Sequence, residues 1–144
     1  MNYIINLFQH LTKLKDLPPL LFRLVLAYGF YGPATMKLKN FNGIVEWFTG
    51  MGMPLPKFNA FLVTASETAG FILLFLGLAT RFISIPLIIV MIVAITAIHW
   101  SGGFNAANDG FEIPLYYLLM LFSLLITGPG KFSIDAIIKK YYSE

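Results

Sequence analysis

Four long apolar runs, Leu17 to Met36, Phe58 to Ala79, Phe82 to Trp100 and Phe111 to Thr127, are separated by segments that hold most of the charged positions. Each run approaches the roughly 20 residues that a helix needs to cross about 30 Å of hydrocarbon, and the fourth lies near the lower limit of about 17. The runs are apolar on every face, whereas the strands of a membrane barrel alternate over about ten residues, so the pattern predicts helices. The expected fold is all-α: an integral membrane, antiparallel four-helix bundle. Little more than Thr80 and Arg81 separates the second and third spans, which forces a tight hairpin between them. Pro86 either kinks the third span or sits in its first turn, and Ala65, Ser66, Ala69 and Gly70 permit close packing around the second.

Shorter amphipathic segments flank the spans. Ile4, Leu7, Phe8, Leu11 and Leu14 recur at helical spacing and predict a short surface helix before the first span. The connection from Lys37 to Lys57 is too long for a simple turn and contains Ile44-Val45-Glu46-Trp47-Phe48, an interfacial stretch able to fold back as a lid. Ser133 and Asp135 open a last short helix whose Ile134, Ile137, Ile138 and Tyr141 would rest on lipid. Gly50-x-Gly52 lacks a preceding strand and the rest of a dinucleotide fingerprint, so it reads as turn chemistry.

Composition supports lipid as the solvent. Of 144 residues, 58% are hydrophobic and 12% charged, and the mean hydropathy is +0.76, far from the roughly one-quarter charged composition of soluble domains. The length fits a single domain over 1–144. Absence of cysteine excludes disulfides, thiolate metal sites and iron–sulfur clusters held by this chain. A net charge of +3 with no basic stripe gives no nucleic-acid footprint. The cations instead report topology: Lys13, Lys15, Arg81, Lys131, Lys139 and Lys140 fall on one side, and Lys37, Lys39 and Lys57 on the other. The positive-inside rule then puts both termini in the cytoplasm, and the start shows no cleavable signal.

Ionisable residues within spans are costly and therefore informative. Arg23 and Glu67 stand out, either as an interhelical ion pair or with Glu67 as a proton-accepting or ligand-binding carboxylate. A second group, Lys37, His99, Trp100, Asn108, Asp109 and Glu112, is expected to gather at one outer mouth, with His99 and Glu112 as its proton-exchanging pair. The candidate catalytic groups are thus Glu67, His99 and Glu112. Met51 and Met53 beside His99 form a weak thioether–imidazole metal signal, and no metal is assigned. His10 and His99 fall on opposite membrane faces, so one chain does not supply a bis-histidine haem site, and no flavin, P-loop, nucleophile-elbow or zincin motif is present.

The ordered motifs resemble those of DoxX-like membrane proteins over nearly the whole chain. Arg23-Leu24, Met36-Lys37-Leu38, Glu67 through Gly70, and the hairpin Leu76-Gly77-Leu78-Ala79-Thr80-Arg81 carry the resemblance, followed by His99, Asn108-x-Gly110-x-Glu112, Gly128-Pro129-Gly130 and Ser133-x-Asp135. Pro33-Ala34 replaces the His-Gly that many members carry there, so no role of that histidine transfers. Val45-Glu46-Trp47-Phe48 and Ile83-Ser84-Ile85-Pro86 look most like the HvfX branch, which the resemblance associates with metal-stress gene clusters. The resemblance implies an inner-membrane subunit of a redox or stress-defence system that interacts with quinone, with Arg23, Lys37, Glu67, His99, Trp100, Asn108 and Glu112 as candidate ligand-binding residues. The alternative is a noncatalytic scaffold, or a small-molecule or metal-handling protein, that docks a protein partner or a second copy of itself.

Overall fold

The computed structural model describes residues 12–142, and these are predominantly helical. Helix α1 spans Leu17–Lys39, α2 Phe41–Gly50, α3 Pro56–Leu76, α4 Thr80–Val93, α5 Glu112–Thr127 and α6 Ile134–Tyr141. A π-helical turn, Ala94–His99, and a 3-10 turn, Trp100–Gly102, prolong α4, and a second 3-10 turn, Ala106–Asn108, lies before α5. Most of the predicted N-terminal surface helix lies outside the described residues. Pro86 sits inside α4, beyond its first turn.

Local chemistry sets the boundaries. The Asn40 side chain accepts the Gly43 N–H at 3.2 Å and starts α2 immediately after α1. Gly77 ends α3 in the left-handed region, φ 67°, with the Leu78 N–H donating to the Leu73 carbonyl at 2.9 Å. A Cβ on Gly77 would run into the Arg23 guanidinium and Ser133, so glycine is needed for approach as well as for conformation. Ser133 caps α6 by accepting the Ala136 N–H at 3.1 Å.

One apolar core is shared by the long helices. Leu26, Ala27 and Phe30 of α1 meet Leu74 of α3, Leu87 and Met91 of α4, and Leu121 and Leu124 of α5. Helix α1 packs most extensively on α3, and α4 on α5. Leu87 fits against Gly70, where a Cβ would collide with its methyl groups. A smaller cluster, Ile44 and Phe48 with Ala60, folds α2 back onto the start of α3.

The surface inverts the arrangement of a water-soluble protein. Phe58, Phe75, Phe82, Ile89 and Phe122 each keep more than half their area exposed, whereas Arg23, Lys37 and Glu67 are buried. Pro56–Leu76 and the continuous run Thr80–Gly102 are long and apolar enough to cross a membrane, and Glu112–Thr127 is apolar but shorter. Helix α1 has comparable length but carries Arg23, Lys37 and Lys39.

The α3–α4 turn is cross-stitched to the start of α6. Asp135 accepts the Ala79 and Thr80 N–H groups at 2.8 and 3.1 Å, and its own N–H donates to the Gly77 carbonyl at 3.0 Å. Asp135 thereby caps α4 from a distant part of the chain, and it holds Ala79 at φ 50°, a conformation unfavourable for a residue with a Cβ. Asp135→Ala should cost about 1–2 kcal/mol, the upper range for losing a helix cap. Denaturation of the purified protein in detergent checks this, and an unchanged midpoint would contradict the clamp.

Candidate functional site

The shortest ionic contact among the described residues joins α1 to α3: Lys37 Nζ lies 2.6 Å from Glu67 Oε2, with side-chain exposures of 11% and 6%. Two charges removed from water repay their desolvation only when they pair at close range. Lys37 is two residues from the end of α1, and Glu67 lies in the middle of α3.

The expected Arg23–Glu67 pair does not form. The Arg23 Nη2 donates to the Phe132 carbonyl at 2.5 Å, and the carboxylate whose charge acts on it is Asp135. The seam between α1 and α3 explains the exchange. Arg23 lies against Gly77, and the ten residues of helix back to Glu67 span about 15 Å, beyond the reach of a guanidinium. Arg23 Nε and Nη1 are buried without a hydrogen-bond partner among the described residues. The residue therefore belongs to the clamp formed by the hairpin and α6.

The predicted outer mouth divides as well. His99 and Glu112 do not pair: His99 Nδ1 lies 2.7 Å from the Asp109 carbonyl oxygen, while Glu112 accepts the Ala106 N–H at 3.0 Å and the Tyr116 hydroxyl at 3.0 Å. Both side chains instead brace the loop between α4 and α5. The Phe111 and Glu112 N–H groups donate to the Gly103 and Phe104 carbonyls, each at 3.0 Å, and the Trp100 ring stacks on Phe111 at 5.5 Å. Asn108 ends the 3-10 turn, and a Cβ on Gly110 would strike the carbonyls of Gly103 and Asn105. The Asn108-x-Gly110-x-Glu112 motif thus builds a compact loop. Among the described residues, no hydrogen bond links this group to Lys37 and Glu67.

Met53 packs on the Ile44–Phe48–Ala60 cluster, and Met51 caps the end of α2 and is exposed. No group of three or more His, Asp or Glu side chains suited to a metal ion occurs among the described residues.

Sequence reasoning missed Thr68. Its hydroxyl is buried, has no hydrogen-bond partner among the described residues, and sits on the residue next to Glu67. Its neighbour Thr64 instead bonds back to the Ala60 carbonyl at 2.7 Å. An unsatisfied buried hydroxyl typically costs about 1–3 kcal/mol, so Thr68 carries hydrogen-bonding capacity that no described residue fills. Its adjacency to the intramembrane carboxylate was the available signal. Also missed were Tyr28 and Tyr31 of α1, which line a groove with Phe71 and Phe75 of α3.

A helical membrane protein with a buried Lys–Glu pair and a braced loop between α4 and α5 is the class these features define. The chain belongs to the DoxX family, whose profile matches residues 19–100 and so includes Arg23, Lys37, Glu67, His99 and Trp100 but stops before Asn108 and Glu112. It is similar to an uncharacterized protein of Haemophilus influenzae, 34% identical over 131 residues and covering 85% of this chain and 84% of the relative. It also resembles the putative oxidoreductase CatD of Bacillus subtilis, 30% identical with 90% and 93% covered. The inner membrane protein YphA of Escherichia coli is 28% identical with 69% and 74% covered. No solved structure matches the chain.

The ion pair makes a direct energetic prediction. Lys37→Met leaves Glu67 buried without a counter-charge and should cost about 3–5 kcal/mol, whereas Lys37→Met with Glu67→Gln should recover most of that loss. Denaturation midpoints of both variants in detergent test it, and equal losses in the two would refute the coupling.

Proposed function

We propose that this protein is a four-span, antiparallel inner-membrane subunit of a redox or stress-defence system, and that it binds the head of a quinone beside Lys37 and Glu67. The observation that carries the reading is the 2.6 Å ion pair with the orphaned Thr68 hydroxyl on the adjacent residue. Intramembrane ionisable groups usually mark ligand or proton pathways, and the similarity to a putative oxidoreductase supports a redox context.

The residues fit such a ligand. The Lys37 ammonium has three donors, of which Glu67 uses one, so the others are suited to carbonyl oxygens. Thr68 supplies a further hydroxyl, and Glu67 is placed to hold a proton at its carboxylate. A bound quinone would supply reversible two-electron, two-proton chemistry. The chain has no cysteine and no flavin or haem motif, so in this reading electrons arrive from a docked protein partner. The four-residue stretch Val45-Glu46-Trp47-Phe48 on α2 supports placement near the HvfX branch.

A second reading, a noncatalytic scaffold, is favoured by one observation: His99, Asn108 and Glu112 are engaged in building their own loop. Mass spectrometry of organic extracts separates the two. The quinone reading expects near-stoichiometric quinone with the purified protein, and its loss from Glu67→Gln that retains the parent circular dichroism. Its absence, with intrinsic fluorescence and melting unchanged by added quinone, would overturn the reading and leave the scaffold.

The proposed orientation places both termini in the cytoplasm. Reporters fused after Glu144 and within the segment from Lys37 to Lys57 should therefore report opposite sides of the membrane. A same-side result would sink the four-span topology.

A further inference from the structure

On the outward side of the seam between α1 and α3 runs an apolar groove of about 410 Å³. Leu24, Tyr28 and Tyr31 form one wall, and Phe71, Ile72 and Phe75 the other. The same two helices carry Lys37 and Glu67, so groove and ion pair belong to one seam.

Helical register gives the groove a polar end and an apolar end. Thr68, Ile72 and Leu76 follow one another at four-residue spacing along α3, which puts the unpartnered Thr68 hydroxyl at the head of the line that forms the wall. On α1, Tyr28, Tyr31 and Thr35 follow at spacings of three and four, and the Thr35 hydroxyl donates to the Tyr31 and Gly32 carbonyls at 2.9 Å. Phe71 lies one turn, about 6 Å, along α3 from Glu67. Its ring meets Tyr31 edge-on at 5.5 Å, and both rings line the groove at the end nearer Glu67.

We propose that this groove is the tail track for the ligand whose head is assigned to Lys37 and Glu67, and that its occupant is the single isoprenoid chain of a quinone. The inference rests on that functional reading and extends it from head to tail. Charge at the head selects this occupant over a phospholipid. Lys37 lies near the end of α1 but is already paired with Glu67, and a phosphate placed there would face that buried carboxylate, whereas Thr68, in the body of α3, needs only a neutral partner. The head must therefore be small and uncharged, with acceptors for Lys37 and Thr68. The tail gains no hydrophobic transfer energy over lipid, so its retention depends on packing against the aromatic walls and on the anchored head.

Photolabelling of the full-length protein in liposomes tests this. One probe is a quinone carrying a diazirine in its isoprenoid tail, and the control is a phosphatidylcholine with a diazirine in one acyl chain. The tailed quinone should label peptides containing Leu24 to Tyr31 and Phe71 to Leu76, and excess unlabelled tailed quinone should compete. In Ile72→Trp, a bulky change at a lipid-facing position, groove labelling should fall about tenfold, corresponding to about 1.4 kcal/mol of lost contact. Binding of a tail-less quinone ring should be unchanged in that variant.

Labelling spread evenly over the lipid-facing helices would overturn the tail track even where ring binding still depends on Glu67. Equal groove labelling by the acyl-chain probe, without displacement by quinone, would also overturn it in favour of ordinary lipid. Groove labelling that survives in Glu67→Gln would uphold the track while refuting the head assignment. No labelling and no ring binding would refute both.

Discussion

Hydrocarbon offers no hydrogen bonds, so a polar group within a membrane must find its partner inside the protein. This constraint organises the molecule. Aromatic and aliphatic side chains that water would drive inward lie on the outer faces, and the buried positions include Arg23, Lys37 and Glu67. Lys37 and Glu67 meet at 2.6 Å because neither charge is tolerable alone at that position. Their contact fixes the seam between α1 and α3, and the groove and the orphaned Thr68 hydroxyl are features of the same seam.

At the hairpin end the constraint is met by a different construction. A short turn leaves the first N–H groups of α4 unsatisfied, and Asp135, more than fifty residues later, supplies both acceptors. Gly77 lets Arg23 approach, and Arg23 reaches the Phe132 carbonyl that leads into the capped α6. The hairpin motif and the Ser133-x-Asp135 motif are therefore two halves of one structural unit. The polarity at this end holds helices in place although Arg23 Nε and Nη1 and the Thr80 hydroxyl stay unfilled among the described residues, and Lys37 and Glu67 keep spare donors beside the Thr68 hydroxyl.

The helical character was legible in the sequence because runs apolar on every face leave no other backbone solution in lipid. The amphipathic α2 and α6 were legible from their periodicity, and α6 from Ser133 as well. Boundaries shifted where caps decided them: Gly77 stops α3 short of the predicted Ala79, and the end of the third span becomes a π turn at Ala94–His99. Glu67 was identifiable from its cost in a span, but its partner was not. Choosing between Arg23 and Lys37 requires the register of α1 on α3, which depends on side-chain packing rather than on spacing within either helix. The mouth residues illustrate the same limit, since His99 and Glu112 are close in topology yet each bonds locally within its loop.

These pairings bear on which residues carry function. A polar side chain whose hydrogen bonds all serve its own loop has a sufficient structural reason to be there, and Glu112 meets that description with Ala106 and Tyr116. Lys37 differs because one carboxylate oxygen does not exhaust an ammonium, and Thr68 differs because no described residue completes its hydroxyl. His99 stands between the two cases. One ring nitrogen faces the Asp109 carbonyl, and the residue closes a π-helical turn, a distortion that usually persists where it positions a group. Unfilled hydrogen-bonding capacity also remains at Arg23 and Thr80, but those residues hold the hairpin and α6 together, whereas Lys37 and Thr68 keep theirs on the two helices that form the apolar groove, which is why the proposed ligand is assigned there.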